Sequence, residues 1–95
     1  MPAFLIAEIE VTDPDTYARY RAQTPGVIGA YGGRFLVRGG AVEPREGDPP
    51  AGRVVVLEFA DMAAVRRFYD SPDYQAILAL RQASSRGRVY LVEVV

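Results

Sequence analysis

Arginine, carboxylate and tyrosine are the side chains of this sequence with most scope for chemistry. Arg34 and Arg38 enclose the apolar run Phe35-Leu36-Val37, and the whole segment lies between Gly32-Gly33 and Gly39-Gly40. Period-two alternation places both arginines on one face of a strand. Their guanidinium forks could grip a carboxylate or phosphate. The plainer role is pairing with Glu8, Glu58 or Glu93 across the sheet or across a dimer, because an unpaired buried charge is costly. Arg38 is the better ligand candidate, since Gly39-Gly40 leaves open space beside it. Glu58 and Glu8 are the candidate catalytic acid and base if burial raises a pKa, with a structural ion pair again as the plainer role. Tyr17, Tyr20, Tyr31, Tyr69 and Tyr74 combine an apolar body with a polar tip. They read mainly as core between helix and sheet, and Tyr20, Tyr31, Tyr69 and Tyr74 join Arg38 as candidate ligand-binding residues.

The absences narrow the chemistry further. The chain has no Cys, His, Lys or Trp. Without Cys there is no disulfide, thiolate nucleophile or sulfur-ligated metal. Without His there is no imidazole base, Ser-His dyad or histidine-ligated haem or zinc. Without Lys there is no Schiff base. Acid–base chemistry must come from Asp, Glu, Tyr or bound water, and no metal site or tightly bound cofactor is expected. Ser71 reads as a helix cap rather than a nucleophile, having nothing to activate it. Using Arg for all side-chain positive charge, alongside much Ala, also fits a GC-rich genome.

These groups need elements to hold them. Ninety-five residues, nearly half of them apolar, make one domain over residues 1–95 on a single core. A chain this small often gains stability by burying a second face against a partner. A net charge of −1 gives no electrostatic reason to expect nucleic acid or an anionic membrane. No run is long and apolar enough to span a bilayer. The N-terminus lacks the basic segment of a signal peptide, so a cytoplasmic protein is expected.

Ala3–Val11 alternates as a strand, with Leu5, Ala7, Ile9 and Val11 on one face. Thr12-Asp13-Pro14-Asp15 starts a helix, which Pro25-Gly26 should kink or split and Gly32-Gly33 should end. Arg34–Arg38 is the second strand, resuming through Ala41-Val42-Glu43 after a glycine bulge. Pro44–Gly52 is a loop and Arg53–Phe59 the third strand. Asp61 caps a second helix with Met62, Val65, Phe68 and Tyr69 buried. Ser71-Pro72-Asp73 stops it and starts another, with Tyr74, Ile77 and Leu78 on its apolar face. Gln82–Gly87 reads as a polar connector and Val89–Val95 as the last strand. Neither glycine pair forms a phosphate loop, because the strand–turn–helix order is reversed.

The order β-α-β-β-α-β is that of a ferredoxin-like α+β sandwich, two helical layers' worth of chain covering one face of a four-stranded antiparallel sheet. Alternation assigns Leu5, Ala7, Ile9, Phe35, Val37, Val55, Leu57, Phe59, Tyr90, Val92 and Val94 to the helix side. The opposite face then carries Phe4, Ile6, Glu8, Glu10, Arg34, Leu36, Arg38, Val54, Val56, Glu58, Val89, Leu91 and Glu93. That face is too apolar for solvent, and sheet-against-sheet packing in a homodimer would bury it.

The segments Ala7-Glu8-Ile9, Asp13-Pro14, Tyr17 and Tyr20, Tyr31 through Gly40, Glu58-Phe59 and Phe68 through Gln75 together resemble the domain-of-unknown-function 1330 family (DUF1330) over nearly the whole chain. That resemblance implies a dimeric α+β barrel and no particular reaction. The expected protein is a homodimer with a small pocket near Arg38, Glu58 and the helix tyrosines. It would do cofactor-independent acid–base chemistry on a small organic acid, or else serve as a non-catalytic ligand-binding or accessory dimer.

Overall fold

The computed structural model describes residues 1–95 in the order β1 (Ala3–Val11), α1 (Pro14–Ala30), β2 (Arg34–Arg38), β3 (Arg53–Phe59), α2 (Met62–Asp70), α3 (Pro72–Ser84) and β4 (Ser85–Glu93). The strands form one antiparallel sheet in the order β2-β3-β1-β4. The helices cover one face of it, giving the ferredoxin-like α+β architecture expected from the sequence. Helix-side residues Leu5, Ala7, Ile9, Leu57 and Phe59 pack under Ile28, Val65, Phe68 and Ile77, all buried. Phe59 and Phe68 lie 5.1 Å apart by ring centroid, and Phe68 and Tyr74 4.6 Å, so one aromatic cluster ties β3 to α2 and α3.

The helix ends follow local chemistry. Asp13 accepts from the Thr16 amide and hydroxyl, with Pro14 in the first turn of α1. At the other end Gly33 N–H donates to Ile28 O and Gly32 N–H to Gly29 O, with Gly32 at φ 81°. That is the paired closure of a left-handed helix stop, which needs glycine. Ser71 serves two helices, accepting from Tyr74 N–H at 3.1 Å and donating to Phe68 O at 2.7 Å. Its hydroxyl is committed at both ends, as the cap reading requires.

Four expectations are corrected. First, α1 runs through Pro25 unbroken. Proline has no N–H for the carbonyl four residues back, here that of Arg21, and the Arg38 guanidinium supplies a replacement donor at 3.4 Å. Second, Ala41–Glu43 is irregular rather than a continuation of β2. Third, Gln82–Gly87 is no connector: α3 reaches Ser84 and β4 begins at Ser85. Arg86 and Arg88 look like loop residues but stand opposite Glu10 and Glu8 in the ladder and bind them. Fourth, β4 has the opposite phase to the one expected. Leu91 faces Leu5 and Val89 faces Ala7, which puts both on the helix side and turns Tyr90 and Val92 outward. Every residue from Val89 to Val92 is apolar or aromatic, so alternation could not choose between the phases.

Candidate functional site

A β-bulge decides where the site lies. Arg34 pairs with Glu58 and Phe35 with Leu57, but the register then slips so that Val37 meets Val56 and Arg38 meets Val55. The extra residue reverses side-chain alternation. Arg34 therefore stays on the outer face while Arg38 turns to the helix side, and the expectation that the two share a face is corrected. The Arg38 guanidinium lies 4.5 Å from the Phe35 ring centroid and reaches the Arg21 carbonyl.

Arg38 stands at the rim of a cavity of about 50 Å³ between the sheet and helices α1 and α3. Helix α1 packs chiefly on α3 and stands off the strands, which leaves this space open. Three further arginines line it, Arg21 from α1, Arg53 from the start of β3 and Arg81 from the last turn of α3. Arg53 lies 5.7 Å from the Tyr17 ring, and a Cβ on Gly39 would come within 2.7 Å of its Nη2. Glycine at position 39 thus makes room for a guanidinium as well as permitting φ 71°. Arg81 is only 8% exposed. Tyr20 and Tyr74 complete the closed end, their hydroxyls 2.8 Å apart.

Not one Asp or Glu lines this cavity. None of its arginines forms an ion pair, and the Nε atoms of Arg53 and Arg81 are buried without an acceptor from the chain. Aromatic faces, a carbonyl and hydroxyls hold the guanidiniums instead. Burial pushes the Tyr20 hydroxyl well above the ordinary tyrosine range, with Tyr74 adding to the effect. Tyr20 is therefore a neutral donor or acceptor and not a phenolate. Arg81 beside these tyrosines stays charged, as a guanidinium does at any ordinary pH.

The other sequence candidates lie elsewhere. Glu58 and Glu8 are both on the outer face, Glu58 opposite Phe4 and Glu8 opposite Val54. Four strand positions, about 13 Å, separate them along the sheet, so the expected acid and base do not share one site. Glu58 Oε1 accepts from Arg34 Nη2 at 2.6 Å and Nε at 2.7 Å. Glu8 accepts from Arg88 at 2.9 and 3.1 Å and from the Tyr90 hydroxyl at 3.2 Å. The hydrogen bond from Arg88 holds the Glu8 carboxyl below its ordinary pKa. Tyr31 donates to Asp73 at 3.2 Å, outside the cavity. Tyr69 lines a shallow groove with Arg66, Asp70 and Tyr90. Of the candidates, the fold gathers Arg38, Tyr20 and Tyr74.

Comparison with known proteins agrees with this architecture. The family model described as Domain of unknown function (DUF1330) matches residues 2–95. The chain belongs to the DUF1330 family. Among solved structures, it is similar to RPA0582, a protein of unknown function from Rhodopseudomonas palustris, at 19% identity and TM-score 0.78, over 99% of this chain and 82% of that one. A dimeric ferredoxin-like protein of unknown function from Jannaschia sp. CCS1 aligns at 19% identity and TM-score 0.74, covering 99% and 100% of the two chains. SnoaB, a cofactor-independent oxygenase from Streptomyces nogalater, aligns at 17% identity and TM-score 0.70, over 99% and 93%. At these identities the likeness is one of fold. A search of curated proteins found no match to the sequence.

Three cavity arginines of this DUF1330 chain, Arg21, Arg53 and Arg81, escaped the sequence reading, and the last two left a signal. Arg81 falls on the stripe Tyr74, Ile77, Leu78, which is the buried face of α3. Arg53 shares the phase of Val55, Leu57 and Phe59, the helix side of β3. An arginine on a buried stripe is the informative exception to apolar patterning.

Proposed function

We propose that this protein is a homodimer whose helix-side cavity binds a small organic acid as its anion. The observation that carries this reading is the set of four arginines, Arg21, Arg38, Arg53 and Arg81, around one cavity that no carboxylate lines. Buried charges are ordinarily paired or hydrogen-bonded, and an anion from outside the chain would supply that pairing. A cavity of about 50 Å³ holds on the order of four water molecules. It suits a compact acid rather than a drug-sized ligand, whose pockets run from roughly 300 to 1,000 Å³.

The homodimer rests on the outer face of the sheet. Phe4, Ile6, Val54, Val56, Tyr90 and Val92 form an apolar area there that no helix covers, and proteins with this fold are described as dimeric. A second sheet packed on it would remove that surface from water.

Cofactor-independent chemistry is a second reading, favoured by the neutral Tyr20 hydroxyl in an arginine-lined cavity and by the likeness to SnoaB. Guanidinium contacts would draw electron density from a bound carboxylate, and Tyr20 could donate to its oxygen. The proton acceptor would be water or the ligand, since Glu8 and Glu58 lie on the other face. Calorimetric titration with acetate and propionate tests the binding reading. Arg38→Gln should weaken binding about tenfold, the scale of one charge-assisted hydrogen bond, while Arg34→Gln leaves it unchanged. No heat with acetate, propionate or malonate, or equal loss in both variants, would overturn the assignment. Accelerated exchange of the α-proton of bound propionate for deuterium would mark the protein as catalytic.

A further inference from the structure

The cavity has two cationic walls. From the helix layer come Arg21 and Arg81 with Tyr20 and Tyr74; from the sheet layer come Arg53 and Arg38. The two buried guanidine N–H groups without an acceptor are divided between these walls, Arg81 Nε on one and Arg53 Nε on the other. A carboxylate set against either wall alone leaves the buried N–H of the other wall without an acceptor, at the desolvation cost of a buried donor.

Charge points the same way. Four arginines line the cavity and no acidic side chain does. A bound dianion offsets one more of these positive charges than a monoanion does. The arginines are also held in a manner that keeps their forks available. Arg38 rests on Phe35 and Arg53 on Tyr17, and neither is engaged by a carboxylate.

We infer that the ligand is a compact dicarboxylate, bound end-on between the walls, with one carboxylate on Arg81 and the other on Arg53 and Arg38. The cavity volume limits the spacer between the carboxyls to very few carbons. This inference rests on the proposed acid-binding function and specifies its ligand class. Arg81 becomes the residue that selects a diacid over a monoacid, and Gly39 the residue that seats Arg53 for the other end.

Calorimetric titration of malonate against propionate, matched in carbon number, tests it at neutral pH and fixed ionic strength. Malonate should bind at least about tenfold more tightly to the unaltered protein, the value of one additional charge-assisted contact. Arg81→Gln should bring the two affinities to within about threefold of each other, mainly by weakening malonate. Arg53→Gln, at a less buried site, should do likewise, so the inference stays testable if the Arg81 variant does not fold. Propionate binding as tightly as malonate would overturn the diacid inference and leave the acid-binding function standing. Failure of both acids to bind would overturn both. A malonate preference that survives both substitutions would place the second carboxylate elsewhere and overturn the inference.

Discussion

The two faces of this sheet use arginine in opposite ways. On the outer face Arg34, Arg86 and Arg88 each meet a glutamate, Glu58, Glu10 and Glu8, at 2.6 to 2.9 Å. These arginine side chains are 70 to 78% exposed, and such pairs contribute little to stability in a monomer. On the helix face Arg38, Arg53 and Arg81 meet aromatic rings, hydroxyls and a carbonyl, and no carboxylate. Paired arginines complete a surface and help fix strand register. Unpaired ones beside a cavity keep a charge ready for something the chain does not itself contain. The same side chain thus serves structure on one side and, in the reading proposed above, ligand recognition on the other.

The largest test of this contrast concerns the core that the helix face shares with the cavity. Phe68→Ala should cost about 3 to 5 kcal/mol in chemical denaturation, because Phe68 is buried against Phe59 and Tyr74. Phe4→Ala, on the outer face, should cost markedly less in the isolated chain and act mainly on the dimer. Equal losses from the two, measured where the protein is monomeric, would contradict the assignment of one interior face. The dimer itself should sediment at twice 10.4 kDa, and Ile6→Glu should convert it to monomer. A monomer at micromolar concentration before any substitution would sink the sheet-face dimer.

The arginines should differ in sign. Arg81→Met removes an unsatisfied buried charge and keeps the volume, so it should stabilise the ligand-free protein by about 1 to 3 kcal/mol while weakening acid binding. Arg88→Met should destabilise, because it strands Glu8, whose side chain is only 13% exposed. If both variants shift the melting temperature in the same direction, the contrast fails. Gly39→Ala should follow with a loss of about 1 to 2 kcal/mol from its left-handed backbone, and with weaker acid binding as Arg53 is displaced.

The smallest effect is a pH dependence. Glu8 titrates below its ordinary value because of Arg88, so its pairing stabilises the fold fully above the unfolded carboxylate pKa. That contribution is lost as pH falls through the depressed folded value. Glu8→Gln should flatten this acid limb of the stability curve. An unchanged acid limb would show that the pair forms no stronger in the folded chain than in the unfolded one.

Much of the fold was legible because local chemistry and hydrophobic period agree there. Asp13-Pro14, Gly32-Gly33 and Ser71-Pro72 place helix ends through backbone groups that need partners, and Ala3–Val11 alternates cleanly. The site was legible only in part. Of the candidates, Arg38, Tyr20 and Tyr74 line the cavity, whereas Glu8 and Glu58 have polar partners on the far side of the sheet. Arg53 and Arg81 were passed over because charged residues in a sequence read as surface.

The amino-acid sequence by itself determined the element order, the helix caps, the absence of imidazole, thiol and amine side-chain chemistry, and the family. Those follow from residue identity and contacts a few positions apart. Only the tertiary structure decided which face each arginine serves. A one-residue bulge at Leu36-Val37 reverses the sense of every later side chain in β2, and the phase of β4 depends on its register against β1. Both are set by pairing between strands distant in sequence, which no local period encodes. That register is why Arg38 lies in the cavity and Arg34 does not.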